Sequence, residues 1–432
     1  MQYTAKLNKL TFFSNAKLIL LSAALVTIVF SKLNLNSLCI ILLSAAWLFE
    51  GDLRNKINRL RNNTFFLANS LYFIVQVLGM FVGTDRQAGW KHIESQVGFF
   101  VIPLILCSSP VTIGMRKKIM MLFTLSVTIA SLFCIVALTW TNINHLTLDI
   151  FFYHSLVSPI EHHAIYFSVY VFMCLLFLIY EKIPGSVYRH KVLYIIWAAY
   201  LAVLIILLSS KLVLSILLLF YVFYALWFYS RKKRLWPVLA LSAFATISIA
   251  VVMTTNNPVK ERFANMLQGN MDMVKQEKFT PVTPFTGLSL RLVFWRFTYE
   301  ILDENDAHIF GVGPANVQTY LNKKYISMNM YMGNGHGDVG YIGYNCHNQF
   351  LQSGLGSGLI GVAVLIFWCI ALFRNAYKAK SPILWGLTLT ILCFLFVESV
   401  FNRQYGVILC TLLPLLYTKT SDNNPPVIHT PS

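Results

Sequence analysis

Nine stretches of this chain, at 17–30, 64–82, 119–140, 164–180, 192–208, 212–229, 238–253, 359–373 and 383–397, hold few charges or none. A bilayer core about 30 Å thick is crossed by about 20 mainly apolar residues in a helix. Inside lipid a chain must also satisfy its own backbone hydrogen bonds, which leaves the helix as the natural solution for such runs. Three shorter runs, at 38–49, 97–110 and 407–416, complete a set of about twelve expected helices, with polar flanks extending them. Only 12% of the residues are charged, about half the share of a soluble globular protein. The fold class expected is therefore an all-α polytopic membrane protein. The first apolar segment follows Lys6 and Lys9 and lacks a small-residue cleavage site, so it reads as a retained helix.

The formal net charge is +17, and its distribution explains its sign. Basic residues cluster in alternate connections: Arg54, Lys56, Arg59 and Arg61; Arg116, Lys117 and Lys118; Lys182, Arg189 and Lys191; Arg231 to Arg234; Arg374, Lys378 and Lys380. The short intervening turns hold only Lys32, Arg86, Lys91, Lys211 and Arg403. The positive-inside rule then sets both termini in the cytoplasm. The excess charge is topogenic and calls for no nucleic-acid partner.

One connection breaks this monotony. Between the ninth and tenth expected helices the chain leaves the membrane for residues 254–346, on the external side. Loops of such length are functional or disordered as a rule, and this one carries structure. "SLRLVFWRFTYEILDEN" sets Leu290, Val293, Phe294, Phe297 and Ile301 at helical spacing, with Ser289 as an expected N-cap. A Gly-Pro turn, "IFGVGPANV", leads to a second helix over 316–325, and "YMGNGHGDVGYIGYN" is irregular. The expected organisation is helices 1–9 over 1–253, a partly helical external subdomain over 254–346, helices 10–12 over 347–419, and a disordered cytoplasmic tail over 420–432. Seven cysteines lie in apolar segments, and Cys346 alone lies in the loop, without a partner for a disulfide.

Candidate chemistry gathers at external helix mouths. His347 and Asn348 open the tenth helix, where a histidine can take a proton near neutral pH and a helix N-terminus favours anions. Asn348 is equally a helix cap. Arg291 shares a stripe of the loop helix with Trp295 and Thr298 and has no acidic neighbour one turn away, whereas Arg296 and Glu300 form an i,i+4 pair. A guanidinium suits phosphate, and Trp295 offers a face to a sugar. Lys211 interrupts the apolar run at the seventh-to-eighth turn, where a cation either snorkels or works. Glu398 and Arg403 mark the last external turn, as a mutual pair or as lining of one cavity. Gly354 and Gly358 form a GxxxG spacing read as close helix packing. Adjacent His162 and His163 cannot face one metal from a helix. No nucleotide, zinc or redox motif occurs, so neither cofactor nor metal is expected.

The order of "SLRLVFWRF", "GVGPANV", "HNQFLQ…GLIG" and "ESVFNRQYGVIL" over this architecture resembles the O-antigen ligase and polymerase superfamily of bacterial envelope glycosyltransferases. The resemblance implies an inner-membrane enzyme acting on its periplasmic face. It would transfer a glycan from undecaprenyl diphosphate to an acceptor, lipid A-core oligosaccharide in a ligase. It also implies that His347 is catalytic and that Arg291 binds the lipid diphosphate. The family's second arginine follows a serine at the seventh-to-eighth turn. Here Lys211 follows Ser209 and Ser210 and keeps the charge without the fork, with Arg403 as an alternative cation. A polymerase and a protein O-oligosaccharyltransferase belong to the same superfamily. A transporter or flippase is the reading from a different class.

Overall fold

The computed structural model describes residues 2–30, 35–181, 191–220 and 271–418, with a few positions between 243 and 264. The helix expected over 238–253, the basic connections at 182–189 and 231–234, part of the loop's first segment and the tail at 420–432 lie outside the described residues. Among those described, the structure is helical without strands. Three helices are long and apolar enough to cross a membrane: Thr11–Val29, Ile113–Thr141 and Gln349–Ala379. Two bent pairs, Leu35–Glu50 with Leu53–Arg61 and Tyr153–Ile160 with Ala164–Tyr180, bring the number to five if each counts as one span. Shorter apolar helices are Thr64–Met80, Val192–Leu207, Lys211–Phe220, Pro382–Val397 and Gln404–Leu416. The architecture is that of a polytopic membrane protein.

Two connections carry more structure than their sequence suggested. Basic residues 54–61 lie on a helix, Leu53–Arg61, turned by 114° from the one before it. Residues Arg86–Gln96 form a helix of their own, capped by the Asp85 side chain, ahead of Gly98–Ser108.

Polar contacts mark two ends of the bundle. At one end Glu50 accepts from Lys56 at 2.9 Å, Arg59 donates to the Ser108 carbonyl at 3.2 Å, and Glu181 pairs with Arg116 at 2.5 Å. This is the basic end. At the other, a His162 ring nitrogen lies 3.1 Å from the Ile28 carbonyl, and Gln404 donates to Ser37 at 2.7 Å. His347 and Glu398 also belong to this second end.

The helices share one large apolar core, with Phe99, Phe123, Phe172, Trp368 and Phe394 fully buried. The long loop has a separate core of Phe279, Val293, Phe294, Phe297, Ile301, Leu321, Tyr325 and Cys346, which reaches the membrane helix at Leu355. Its first helix, Gly287–Glu304, begins one turn before the expected cap. Thr286 is the N-cap and Ser289 stands at the third position of a reciprocal capping box. Each side chain thereby satisfies an amide that the helix start leaves open. Its second helix is Val317–Ser327, with Asn316 as the residue before it. Arg296 and Glu300 pair at 3.1 Å, and Lys324 extends the pair to Glu304, stapling the two loop helices together. Cys346 is fully buried, receives a hydrogen bond from Thr298 at 3.3 Å, and has its thiol pushed up to about 12 by burial.

What holds this loop against the bundle is a break in the helix Gln349–Ala379. Ser357 and Gly358 leave helical geometry, Gly358 at a φ of 62°. A broken helix exposes carbonyls and amides that need new partners, and the Gly-Pro turn of the loop supplies them. The amides of Val312 and Gly313 donate to the carbonyls of Leu355 and Gly356 at 2.8 and 3.1 Å, and Leu359 donates back to His308 at 2.8 Å. A Cβ on Gly358 would lie 2.2 Å from the Ile309 carbonyl group, so no other residue allows this approach. On the other side Pro314 presses on Gly79 of the helix Thr64–Met80. Gly358 therefore serves a helix break and a backbone strap, whereas a Cβ on Gly354 would meet only Val362 of the same helix, so the GxxxG reading of the pair is corrected at Gly358.

Candidate active site

The strap fixes the loop helix Gly287–Glu304 over the start of Gln349–Ala379, and His347 stands between them. Its backbone is left-handed, with φ 47°, a geometry that costs about 1–3 kcal/mol in a residue with a side chain. The Asn345 side chain supports it by accepting from the His347 amide at 2.9 Å. Asn348 then caps the helix, its carbonyl accepting from Phe350 and Leu351 at 2.9 and 3.1 Å, while its amide donates to the Phe396 carbonyl at 3.2 Å. Capping is thus the contact Asn348 makes, and it ties the base of His347 to the helix Pro382–Val397.

Glu398 ends that neighbouring helix. Its Oε2 lies 3.1 Å from His347 Nδ1, and its side chain is only 6% exposed. Burial alone would raise its pKa. The hydrogen bond and charge of His347, with the charges of His163 and Arg291, outweigh burial and hold the carboxyl below its ordinary value. An ionised carboxylate only accepts, so Nδ1 carries the proton, and in the neutral ring Nε2 is the nitrogen left to accept. Glu398 therefore takes His347 as its hydrogen-bond partner. Of the two alternatives for Glu398 and Arg403, no ion pair between them forms among the described residues: the guanidinium of Arg403 lies 5.8 Å from the Tyr405 ring, and the residue is exposed.

The turn carrying Glu398 is held by a buried polar network. Gln349 accepts from the Phe401 amide at 2.8 Å and donates to Tyr72 and Ser353 at 3.3 and 3.2 Å. Aromatic rings complete the surroundings. Phe294 lies nearly parallel to the His347 ring at 6.1 Å, and Tyr344 lies 5.8 Å from it. Neither ring, nor the histidine–glutamate pairing, was anticipated. An acidic residue closing an apolar helix was the available signal, but its partner is 51 positions away in sequence.

The expected cation, Arg291, stands one turn before Phe294 on the same helix. One Arg291 nitrogen donates to the Gly287 carbonyl at 3.1 Å. Its Nε is buried without an acceptor, and so is Trp295 Nε1. Buried polar groups nearly always find partners, and on this helix Arg296 Nη2 is a further buried donor without one. The structure thus brings His347, Asn348, Glu398 and Arg291 into one neighbourhood, with Trp295 beside them on the loop helix.

Lys211 reaches the same end by another route. The helices Ala164–Tyr180 and Lys191–Leu207 pack together, and the Tyr194 hydroxyl bonds the Leu178 carbonyl, which makes them antiparallel. The turn at Ser209 and Ser210, both buried, is thus at the His163 end, and Lys211 starts the helix that follows. His163 is half-buried there, with its Nδ1 buried and unpartnered. Its pKa is pushed down to about 3, first by burial and then by His154, against the charge of Glu398. Among the described residues no group of three or more histidine, cysteine or acidic side chains converges as a metal site would.

The O-antigen ligase family model matches residues 195–366. Over these residues the chain is similar to the O-antigen ligase family. The match takes in Lys211, the loop helix with Arg291 and Trp295, the Gly-Pro strap, His347 and the helix break. Glu398 and Arg403 lie beyond it. The family is one of ligase- and polymerase-type glycosyltransferases handling lipid-linked glycans and their acceptors. No curated protein matches the chain.

Proposed function

We propose that this O-antigen-ligase-like protein transfers a glycan from undecaprenyl diphosphate to an acceptor hydroxyl, of lipid A-core oligosaccharide, on the periplasmic face of a bacterial inner membrane. In this reading the chain has about twelve spans, its basic end and both termini face the cytoplasm, and residues 254–346 lie in the periplasm. The observation that carries the proposal is the pair of half-buried His347 with buried Glu398, near the idle donors of Arg291 and Trp295.

Such a transfer needs a base for the acceptor and positive charge for the departing diphosphate. The carboxylate of Glu398 holds the proton on Nδ1 of His347 and directs Nε2 to the acceptor hydroxyl. That oxygen attacks the anomeric carbon while its proton passes to Nε2. The bond from the anomeric carbon to the diphosphate oxygen breaks, and the diphosphate leaves with the electron pair. Direct displacement inverts the anomeric centre. Arg291 and Lys211 neutralise the diphosphate, with Arg403 at the edge, and Trp295 supports a sugar of the donor. The chemistry requires neither nucleotide nor metal from the periplasm.

The test is the envelope glycan of a deletion strain complemented with His347→Ala or Arg291→Ala at normal expression. Neither variant should restore transfer. Full restoration by both would remove this assignment. The deletion phenotype also names the acceptor: loss of all polymer from lipid A marks a ligase, and a single capped repeat marks a polymerase. Glycan missing from periplasmic proteins instead would mark a protein O-oligosaccharyltransferase.

A further inference from the structure

The basic end, away from the proposed chemistry, contains a cavity of about 250 Å³ between Leu53–Arg61, the start of Thr64–Met80, the end of Gly98–Ser108 and the last turns of Gln349–Ala379. Its charged lining is Arg59, Arg374 and Lys378, with amides from Asn62, Asn63 and Asn375, and no carboxylate lines it. Arg374 and Lys378 are one turn apart on the same helix, where like charges repel. Among the described residues neither has an acidic partner. The acids of this end are engaged elsewhere: Glu50 with Lys17 and Lys56, Glu181 with Arg116 and Lys117. Asn375 Nδ2 is buried with no acceptor at all. Phe65, Leu106 and Ala371 add apolar lining.

Orientation alone explains basic residues at this end, but not a cavity between helices that gathers three of them around an unused amide donor. We infer that this cavity binds a phosphate-bearing anion. A guanidinium pair and an ammonium supply charge-assisted donors, Asn375 Nδ2 adds a neutral one, and one phosphate group satisfies all of them. The volume falls just below the range of drug-sized pockets, which suits a small head group. Cationic and apolar lining together fit the glycerophosphate of an anionic phospholipid, with its acyl chains along the neighbouring helices. Free phosphate offers the same oxygens without the chains. The cavity residues all lie outside the segment shared with the ligase family.

The experiment uses the full-length protein in neutral detergent, titrated with phosphatidylglycerol, phosphatidylcholine or inorganic phosphate. Bound lipid is read by native mass spectrometry and stabilisation by thermal unfolding. Phosphatidylglycerol should bind in preference to phosphatidylcholine. The double variant Arg374→Ala with Lys378→Ala should weaken that binding about thirtyfold, from the usual effect of two basic residues at a membrane surface. Arg54→Ala with Lys118→Ala removes equal charge from the same end outside the cavity, and should change binding less than about twofold. Asn375→Asp, which places a carboxylate in the cavity, should abolish binding while leaving glycan transfer intact. If inorganic phosphate alone stabilises the protein and competes with the lipid, with the same variant pattern, the ligand is free phosphate. Equal losses in the two double variants, or no preference for either phosphate-bearing anion, would overturn the site.

Discussion

The two ends of the bundle use charge in opposite ways. At the basic end, outside the cavity of Arg59, Arg374 and Lys378, cations are numerous and replaceable: their sum matters, and several form ion pairs with the few acids present. At the His347 end, charges are few, and each is individually placed. Glu398 is buried, its partner is a histidine in a left-handed backbone, and the arginine facing them keeps a donor idle. The contrast teaches that charge density is a poor guide to chemistry in a membrane protein. Orientation needs many exposed cations of modest individual effect, whereas a reacting centre needs a few groups that the fold cannot relax.

Substitutions at each end therefore break this comparison differently. The largest effect is expected for His347→Ala, which removes the base and should lower the transfer rate about 10²–10⁴-fold in a membrane assay with lipid-linked donor. A loss under about threefold would place His347 outside the chemistry. Next comes Glu398→Gln, which keeps shape but frees the His347 tautomer, and should cost about 10²-fold in rate with little change in donor binding. The same variant carries a pH signature. Because the folded carboxyl sits below its ordinary value of 4.5, its contribution to stability is complete above that value. It is lost as pH falls through the lowered one. Acid unfolding of the wild type should thus steepen below about pH 4.5, and Glu398→Gln should flatten it.

Arg291→Ala should weaken transfer by about 10–100-fold, the worth of a charge-assisted hydrogen bond to phosphate, and Arg291→Lys should recover part of it. Gly358→Ala tests the strap that brings the loop to the bundle. Backbone strain alone should lower stability by about 1–3 kcal/mol, with loop cleavage by protease appearing before global unfolding. Smallest of all, Arg54→Ala should leave both activity and insertion unchanged. A large loss there would mean that the basic end is as finely placed as the other.

The sequence alone determined the solvent, the expected alternation of basic connections and the existence of a structured loop, because these depend on sums over many residues. Lipid selects apolar runs of a given length, orientation follows counts of lysine and arginine, and helical spacing repeats within one turn. It also marked His347 and Arg291, since a histidine at a polar-to-apolar seam and an arginine without a local acid are visible in one dimension. Tertiary structure alone decided their company. Glu398 reaches His347 because two helix ends meet, Phe294 flanks it because a separate core holds the loop helix, and both depend on a strap entering a broken helix. The local signals at Ser289 and at Gly354 and Gly358 were read one step short for the same reason. A serine two or three residues from a helix start, or a glycine pair in an apolar run, has several uses. Which use is taken depends on the backbone that packs against it, and that backbone comes from dozens of residues away.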